Sequence, residues 1–253
     1  MALQGGVIII GSLLWDENNE RPRWRTQRLN ETAARPVAVP IRYGRFSDHR
    51  RAYTMVFSRL CYRHKQLGQG VIVPFSRPIE SFNDLQQEVD SLGRAERLDS
   101  NWQWGAVGLL TRASCKCPAN LLQQWTQYFR ARSAHYEAFA GHTRSEQPTI
   151  SRDGFLNLRW PLSGKDADRF DFLLATPTKA RIEIQPRPRR YPNSTEIATF
   201  LPADKTNYFI NNVLCGIRTQ QDAAIWKIVA RVQPRFAAKW PQIASLICEK
   251  DAI

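Results

Sequence analysis

The chain has 253 residues, 43% of them hydrophobic, which is enough to bury a substantial core. A mainly disordered protein is therefore not expected. The formal net charge of +13 is carried mostly by arginine. This charge is compatible with a polyanionic partner, but it does not choose among nucleic acid, nucleotide and acidic protein.

The apolar run at the start of the chain, residues 7–10, is too short to span a bilayer. It also lacks the basic segment and the small-residue cleavage site of a signal peptide. We therefore expect a cytoplasmic protein with no membrane partner.

Cysteine usage argues against a secreted domain held together by disulfides. The five cysteines form an odd set without a regular framework, so reduced thiols are expected; they are Cys61, Cys115, Cys117, Cys215 and Cys248. The Cys115 and Cys117 pair has no second Cys/His pair at ligand spacing and supplies too few ligands for a closed zinc site. No metal and no cofactor are expected.

The first half of the chain is predicted to be rich in β-strands. The β-branched run at residues 5–10 predicts a buried strand that ends in a Gly-Ser turn at Gly11. Residues 37–41, 52–57 and 70–75 also have strand composition. A capping box that begins at Ser81 predicts a helix from about Phe82 to Arg97.

The rest of the chain is predicted to contain both strands and helices up to residue 192 and to become helical beyond it. Strands are expected at residues 104–110 and 170–175, and a helix is expected to start near Pro118. The apolar stripe of that helix is predicted to face the core; it consists of Leu121, Leu122, Trp125, Tyr128 and Phe129. The Pro/Arg-rich stretch 185–192 indicates a boundary, and a helix capped by residues 219–222 follows it.

Several short motifs resemble the ChaC-like branch of the γ-glutamylcyclotransferases. The segment Gly11-Ser12-Leu13-Leu14-Trp15 resembles the Y-G-S-L-x-W turn of that family, with Ile10 in place of the tyrosine. Residues 104–107 resemble its "WGV" strand, and residues 172–177 resemble its "YVATP" strand. Residues 196–198, followed by Gly216, Ile217 and Asp222, are similar to its C-terminal helices.

The resemblance implies an α+β fold, a small mixed and partly closed β-barrel flanked by helices, at residues 1–184. A helical C-terminal extension, residues 185–253, would pack on it. The resemblance also implies a pocket for a small γ-glutamyl or amino-acid-like ligand at Gly11, Ser12, Leu13 and Leu14. Amides at such a turn form a concave set of donors for a carboxylate or another oxyanion.

Members of this family use a glutamate to take a proton from the ligand's α-amine, which then attacks the γ-carbonyl and releases 5-oxoproline. The helix expected to carry this glutamate has none between Leu122 and Arg130. Glu137 is the nearest substitute, and a solvated carboxylate paired with an arginine is the other interpretation of that residue. The sequence leaves open an active cyclotransferase and a catalytically silent binding module.

Two groups of arginines are further candidates for binding. Arg42 and Arg45 are expected in a loop between two strands, either clamping a carboxylate or phosphate or facing solvent. The alternative function is nucleic-acid or nucleotide binding through an arginine-rich surface with aromatic residues, although no specific motif supports it. The residues of that surface would be Arg23, Trp24, Arg25, Arg187, Arg189 and Arg190. The oligomeric state is left open.

Overall fold

A computed structural model describes residues 2–18, 20–98, 102, 104–115, 117–133, 146–182, 185–186 and 190–248. Glu137, Arg187 and Arg189 lie outside these ranges. No helix within them has the length and apolar character needed to cross a membrane.

The chain contains both strands and helices, with a run of helices at its C-terminal end, so the protein is a mixed α+β structure, as the sequence predicts. The strands are β1 (Gly5–Ile9), β2 (Arg35–Val39), β3 (Ile41–Ser47), β4 (Ala52–Phe57), β5 (Gly68–Pro74), β6 (Gly108–Thr111), β7 (Phe172–Ala175), β8 (Arg181–Ile182) and β9 (Gln185–Pro186). The α-helices are α1 (Glu20–Arg28), α2 (Leu60–Arg63), α3 (Phe82–Ala95), α4 (Ala119–Arg132), α5 (Gly164–Ala167), α6 (Ser194–Phe200), α7 (Tyr208–Leu214), α8 (Asp222–Val232), α9 (Pro234–Ala237) and α10 (Gln242–Cys248).

The strands form two sheets, in the orders β2-β5-β1-β7-β6 and β4-β3-β8-β9, and no closed barrel is formed by the described residues. In the larger sheet, β1 is antiparallel to β5 and parallel to β7. All five residues of β1 are buried, as expected for a central strand covered on both faces. This position brings the end of β1 into the interior of the molecule.

The core contains residues from both the strand-rich part and the C-terminal helices. Leu92 of α3, Trp125 of α4 and Ile225 of α8 are all fully buried in one hydrophobic cluster. Phe209 of α7 stacks on Tyr43 of β3, with ring centroids 6.3 Å apart. The helices that follow residue 194 therefore share the core of the strands that precede them.

The capping box at Ser81 is confirmed. The Ser81 side chain accepts a hydrogen bond from the Asp84 N–H, and the Asp84 side chain accepts one from the Ser81 N–H. The helix ends at Ala95, two residues before the predicted end. The apolar stripe of α4 is confirmed in its central part, because Leu121, Trp125 and Phe129 are buried.

Three expectations need correction. The segment expected to be a loop around Arg42 and Arg45 is the strand β3, which pairs with β4. Pro40, which has no N–H to donate, separates β2 from β3, so the run predicted as one strand is split in two. Cys115 and Cys117, expected as free thiols, are joined by a disulfide.

Candidate functional site

A cavity of about 300 Å³ lies at the end of β1. Its walls come from the turn that follows β1, from β3 and β4, and from the C-terminal end of α3. Trp104, Thr176 and Thr178 also line it. Tyr208, the first residue of α7, completes the lining. Distant parts of the chain therefore meet at the turn that the sequence indicates.

The turn after β1 leaves three amides without an acceptor. The N–H groups of Leu14, Trp15 and Asp16 donate to carbonyls of the turn itself, over 3.2, 3.3 and 2.9 Å. Those of Gly11, Ser12 and Leu13 donate no hydrogen bond to any residue that the structure describes. These three residues line the cavity, so an acceptor that enters it lies beside N–H groups that have no partner among the described residues.

The Asp16 carboxylate stabilises the turn by accepting hydrogen bonds from three residues. One carboxylate oxygen accepts from the Asn18 N–H at 2.9 Å, and the other accepts from Arg21 at 2.6 Å and Arg50 at 3.0 Å. The same two arginines donate to the Ser12 hydroxyl oxygen, at 2.7 and 3.1 Å. Since the Asp16 and Arg side chains are largely buried, these charge-assisted bonds fix the Ser12 side chain firmly.

The pKa of Asp16 reflects this set of donors. Burial acts to raise the pKa, but the hydrogen bonds from Asn18 and Arg50 and the charges of Arg21 and Arg50 outweigh it. The net result is a pKa below the ordinary value for aspartate. Asp16 therefore stays ionised and pairs with both arginines, whose two positive charges its single negative charge offsets in part.

Glu96 is the carboxylate that lines the cavity beside the turn. It lies at the end of α3, where the Leu98 N–H donates to the Gly93 carbonyl and the Arg97 N–H donates to the Arg94 carbonyl, both at 2.9 Å. This pair of bonds is a Schellman motif, in which the residue after the cap adopts a left-handed conformation. Arg97 takes that conformation here, with φ of 58°.

Burial raises the pKa of Glu96, and the nearby charge of Asp16 acts in the same direction. The charges of Arg21 and Arg50 oppose this shift without cancelling it. The Arg21 guanidinium lies 3.2 Å from one carboxylate oxygen of Glu96. A carboxylate with a raised pKa is a stronger base than an exposed glutamate, and in a cavity it can accept a proton from a ligand.

Arg45 reaches the cavity from β3. Its guanidinium carbon lies 4.8 Å from the centroid of the Trp104 ring, and its Nη1 is 3.4 Å from the Lys179 carbonyl oxygen. The pairing of β3 with β4 shifts register between Tyr43 and Arg45, as in a β-bulge. The shift leaves Gly44 without a partner and directs Arg45 and Ser47 to the cavity wall.

The structure places four of the six ligand-binding residues that the sequence indicates in this cavity, namely Gly11, Ser12, Leu13 and Arg45. Leu14 and Arg42 do not line it. The Arg42 guanidinium lies over the Tyr191 ring instead, 4.3 Å from the centroid.

The arginine-rich surface proposed for nucleic acid is not assembled as expected. Trp24 is only 4% exposed, which leaves no face for a base to stack on. Arg25 is buried too, and it donates to the carbonyls of Leu13 and Asp16 and pairs with Glu17. It therefore braces the turn from inside. Arg190 and Arg23 are both exposed. Arg190 forms a bidentate ion pair with Glu196.

Sequence reasoning missed Asp16, Arg21, Arg50 and Glu96. None of them belongs to a short motif, and three different segments of the chain supply them. The nearest available signal was the end of the predicted helix, which was set one residue beyond Glu96. In the part of the chain that the structure describes, no group of three or more His, Cys, Asp or Glu side chains is placed to hold a metal ion.

Comparison of the chain with protein-family models, with curated proteins and with solved structures found no match.

Gly11 is required because its Cα lies against Tyr208. A Cβ at Gly11 would lie 2.5 Å from the Tyr208 hydroxyl oxygen, but 3.4 Å from the ring carbon that carries it. We expect Gly11→Ala to lower the free energy of unfolding by about 1–3 kcal/mol, measured by denaturant titration. The double variant Gly11→Ala/Tyr208→Phe has no hydroxyl oxygen for the new Cβ to clash with. Its loss of unfolding free energy should therefore be smaller than the sum of the losses in the two single variants.

Gly93→Ala is a suitable control for that cycle, because the nearest atom to its added Cβ would be 3.9 Å away. It should not destabilise the protein, since alanine is the better helix former. If the losses of unfolding free energy in Gly11→Ala and Tyr208→Phe were additive in the double variant, the close contact between residue 11 and the Tyr208 hydroxyl would be contradicted.

The left-handed conformation of Arg97 gives a second prediction. We expect Arg97→Gly to raise the free energy of unfolding by about 1 kcal/mol, because glycine adopts this conformation without strain. Arg94→Gly, inside the last turn of α3, is the matched control and should lower it by about 1 kcal/mol. Thermal unfolding followed by circular dichroism measures both changes. A loss of stability in Arg97→Gly would show that the Arg97 side chain stabilises the protein by more than the strain of its left-handed backbone destabilises it.

Proposed function

We propose that the chain binds a small amino-acid-like ligand of the γ-glutamyl type in the cavity beside Gly11, and that Glu96 serves as the base for its conversion to 5-oxoproline. The observation that carries the proposal is that free turn amides and a carboxylate with a raised pKa line the same cavity. The resemblance of the Gly11-Ser12-Leu13-Leu14 turn to that of ChaC-like proteins supports the choice of ligand.

The turn supplies a place for an oxygen of the ligand. Peptide N–H groups that already point in fixed directions stabilise a carboxylate, or a carbonyl oxygen that gains charge during attack, without reorganising. The Asp16 cluster fixes the Ser12 side chain on the same wall. We therefore assign Gly11, Ser12 and Leu13 to the positioning of the γ-glutamyl group.

Glu96 supplies the proton transfer. An α-ammonium group gives a proton to the carboxylate, and the free amine then attacks the γ-carbonyl carbon. A new C–N bond forms, and the bond to the departing amine breaks. The attacking nitrogen loses a second proton as the lactam forms. Glu96 passes both protons to the departing amine, which leaves as an ammonium ion, so charge and atoms balance. This assignment replaces the candidate base Glu137, which lies outside the described residues.

A catalytically silent binding module is the second candidate. The ion pair between Arg21 and Glu96 favours it, because a guanidinium at 3.2 Å stabilises the charged carboxylate and makes it a weaker base. Under this alternative the cavity binds the ligand and Glu96 only pairs with its ammonium group.

The test of catalysis is the variant Glu96→Gln. Wild-type protein should release 5-oxoproline from a γ-glutamyl dipeptide, and the variant should do so about 10²–10⁴-fold more slowly because it has no base. Glu80→Gln, an exposed glutamate before the start of α3, is the control and should keep full activity. Binding of the dipeptide without release by the wild type would reject catalysis and favour the silent module; absence of binding would reject both.

The pH dependence gives an independent prediction. A base acts only when it is deprotonated, so the rate should rise with pH through the pKa of Glu96, which lies above the ordinary value for glutamate. Since the charge of Arg21 lowers this pKa, Arg21→Gln should move the acid limb of the profile to higher pH, whereas Arg21→Lys should move it less. NMR titration of the Glu96 carboxyl measures the same shift without turnover. If the titration midpoint of Glu96 were the same in Arg21→Gln as in the wild type, the electrostatic coupling between Arg21 and Glu96 would be contradicted.

A further inference from the structure

We propose that a second cavity, separate from the one at the end of β1, binds a chain of two or three phosphates. This cavity has a volume of about 550 Å³, and it shares no lining residue with the first. Its walls come from α2 and the residue before it, from residues 146–147 and from residues 157–159. The site does not depend on the function proposed above.

Three arginines line this second cavity without a paired counter-charge. Arg59, Arg63 and Arg159 form no ion pair with any residue that the structure describes. Among the described residues of the lining, Glu146 is the one carboxylate. The lining therefore carries three positive charges and one negative charge, which favours an anionic ligand.

The Glu146 carboxylate is engaged by groups other than these arginines. One oxygen accepts hydrogen bonds from the Ser58 hydroxyl at 2.8 Å and from the Leu60 N–H at 3.3 Å. The other oxygen accepts one from the Tyr191 hydroxyl. Glu146 is only 8% exposed, whereas Arg63 and Arg159 are exposed. A ligand that enters the cavity therefore meets the guanidinium groups more than the carboxylate.

Two of the three arginines are held in place by neighbouring side chains. Arg59 Nη1 donates a hydrogen bond to Gln147 Oε1 at 2.9 Å. The guanidinium carbon of Arg159 lies 4.8 Å from the centroid of the Tyr62 ring, and the Arg159 N–H donates to the Tyr62 hydroxyl oxygen at 2.9 Å. Burial raises the pKa of Tyr62, while the charges of Arg159 and Arg59 act to lower it, so both charges lie near this hydroxyl. Groups that are already positioned lose less freedom when a ligand binds.

The class of ligand follows from the number and kind of these donors. A guanidinium group presents a planar fork of N–H donors that matches two oxygens of one phosphate. Three such groups suit several negative charges close together, as in a diphosphate or a triphosphate. The Tyr62 O–H donates to no residue that the structure describes, so it is a further donor for a phosphate oxygen. The volume is within the range of small-molecule sites.

Isothermal titration calorimetry with inorganic tripolyphosphate tests this site. The wild type should bind it, and Arg59→Gln and Arg159→Gln should each weaken the affinity by about 10-fold or more, the loss typical of one charge-assisted hydrogen bond. Arg59→Lys keeps the charge but not the planar fork, so it should weaken the affinity less than Arg59→Gln. Arg152→Gln, an exposed arginine outside both cavities, is the matched control and should bind as the wild type does. Circular dichroism establishes that each variant is folded.

Titrations with ATP and adenosine distinguish the two sources of such phosphates. Tighter binding of ATP than of tripolyphosphate would identify a nucleotide as the ligand, and equal or weaker binding would identify a free oligophosphate. Adenosine that binds as tightly as ATP would overturn the inference.

Arg45→Gln separates this site from the cavity at the end of β1 and should leave the affinity for tripolyphosphate unchanged. A loss of affinity in Arg45→Gln with none in Arg59→Gln would place the anion in the first cavity and overturn the inference. Failure of the wild type to bind tripolyphosphate would also overturn it. Neither result bears on the release of 5-oxoproline, so the proposed function stands or fails separately.

Discussion

The cavity depends on the ion cluster around Asp16. This one carboxylate receives Arg21 from α1, Arg50 from the turn between β3 and β4, and the backbone of its own turn. Removal of Asp16 would leave two largely buried guanidinium groups beside each other. Removing one partner of a buried ion pair typically lowers the free energy of unfolding by about 3–5 kcal/mol. The shape of the turn at Ser12 and the position of Glu96 both follow from this arrangement.

The electrostatics of the cavity are uneven, and this unevenness supports its assignment as a binding site. Arg21 and Arg50 are paired with carboxylates, whereas Arg45 and Arg97 line the cavity without an ion pair to any described residue. Burial raises the pKa of Glu96, while the charge of Arg21 restrains the rise. Such opposing influences on one carboxylate are typical of residues that exchange protons.

The sequence predicts well those features that depend on local pattern. The β-branched run of β1, the Ser81 capping box and the buried positions of α4 each follow from neighbouring residues. The cavity residues that it missed depend on long-range contacts. Glu96, for example, is one of several polar residues at a helix end, and no neighbouring residue distinguishes it in the sequence. Arg45 was predicted as a ligand-binding residue but in a loop, because a register shift inside a strand leaves no clear trace in a single sequence.

Tyr208 gives the C-terminal helices a direct role in the cavity. Its hydroxyl accepts a hydrogen bond from the Met55 N–H in β4, and its ring closes the space above Gly11. Cutting the chain at the Pro/Arg-rich stretch before residue 194 would open the cavity to solvent and leave that N–H without its acceptor. A shortened protein is therefore a poor choice for biochemical work, and a failure of such a fragment to bind would say nothing about the intact chain.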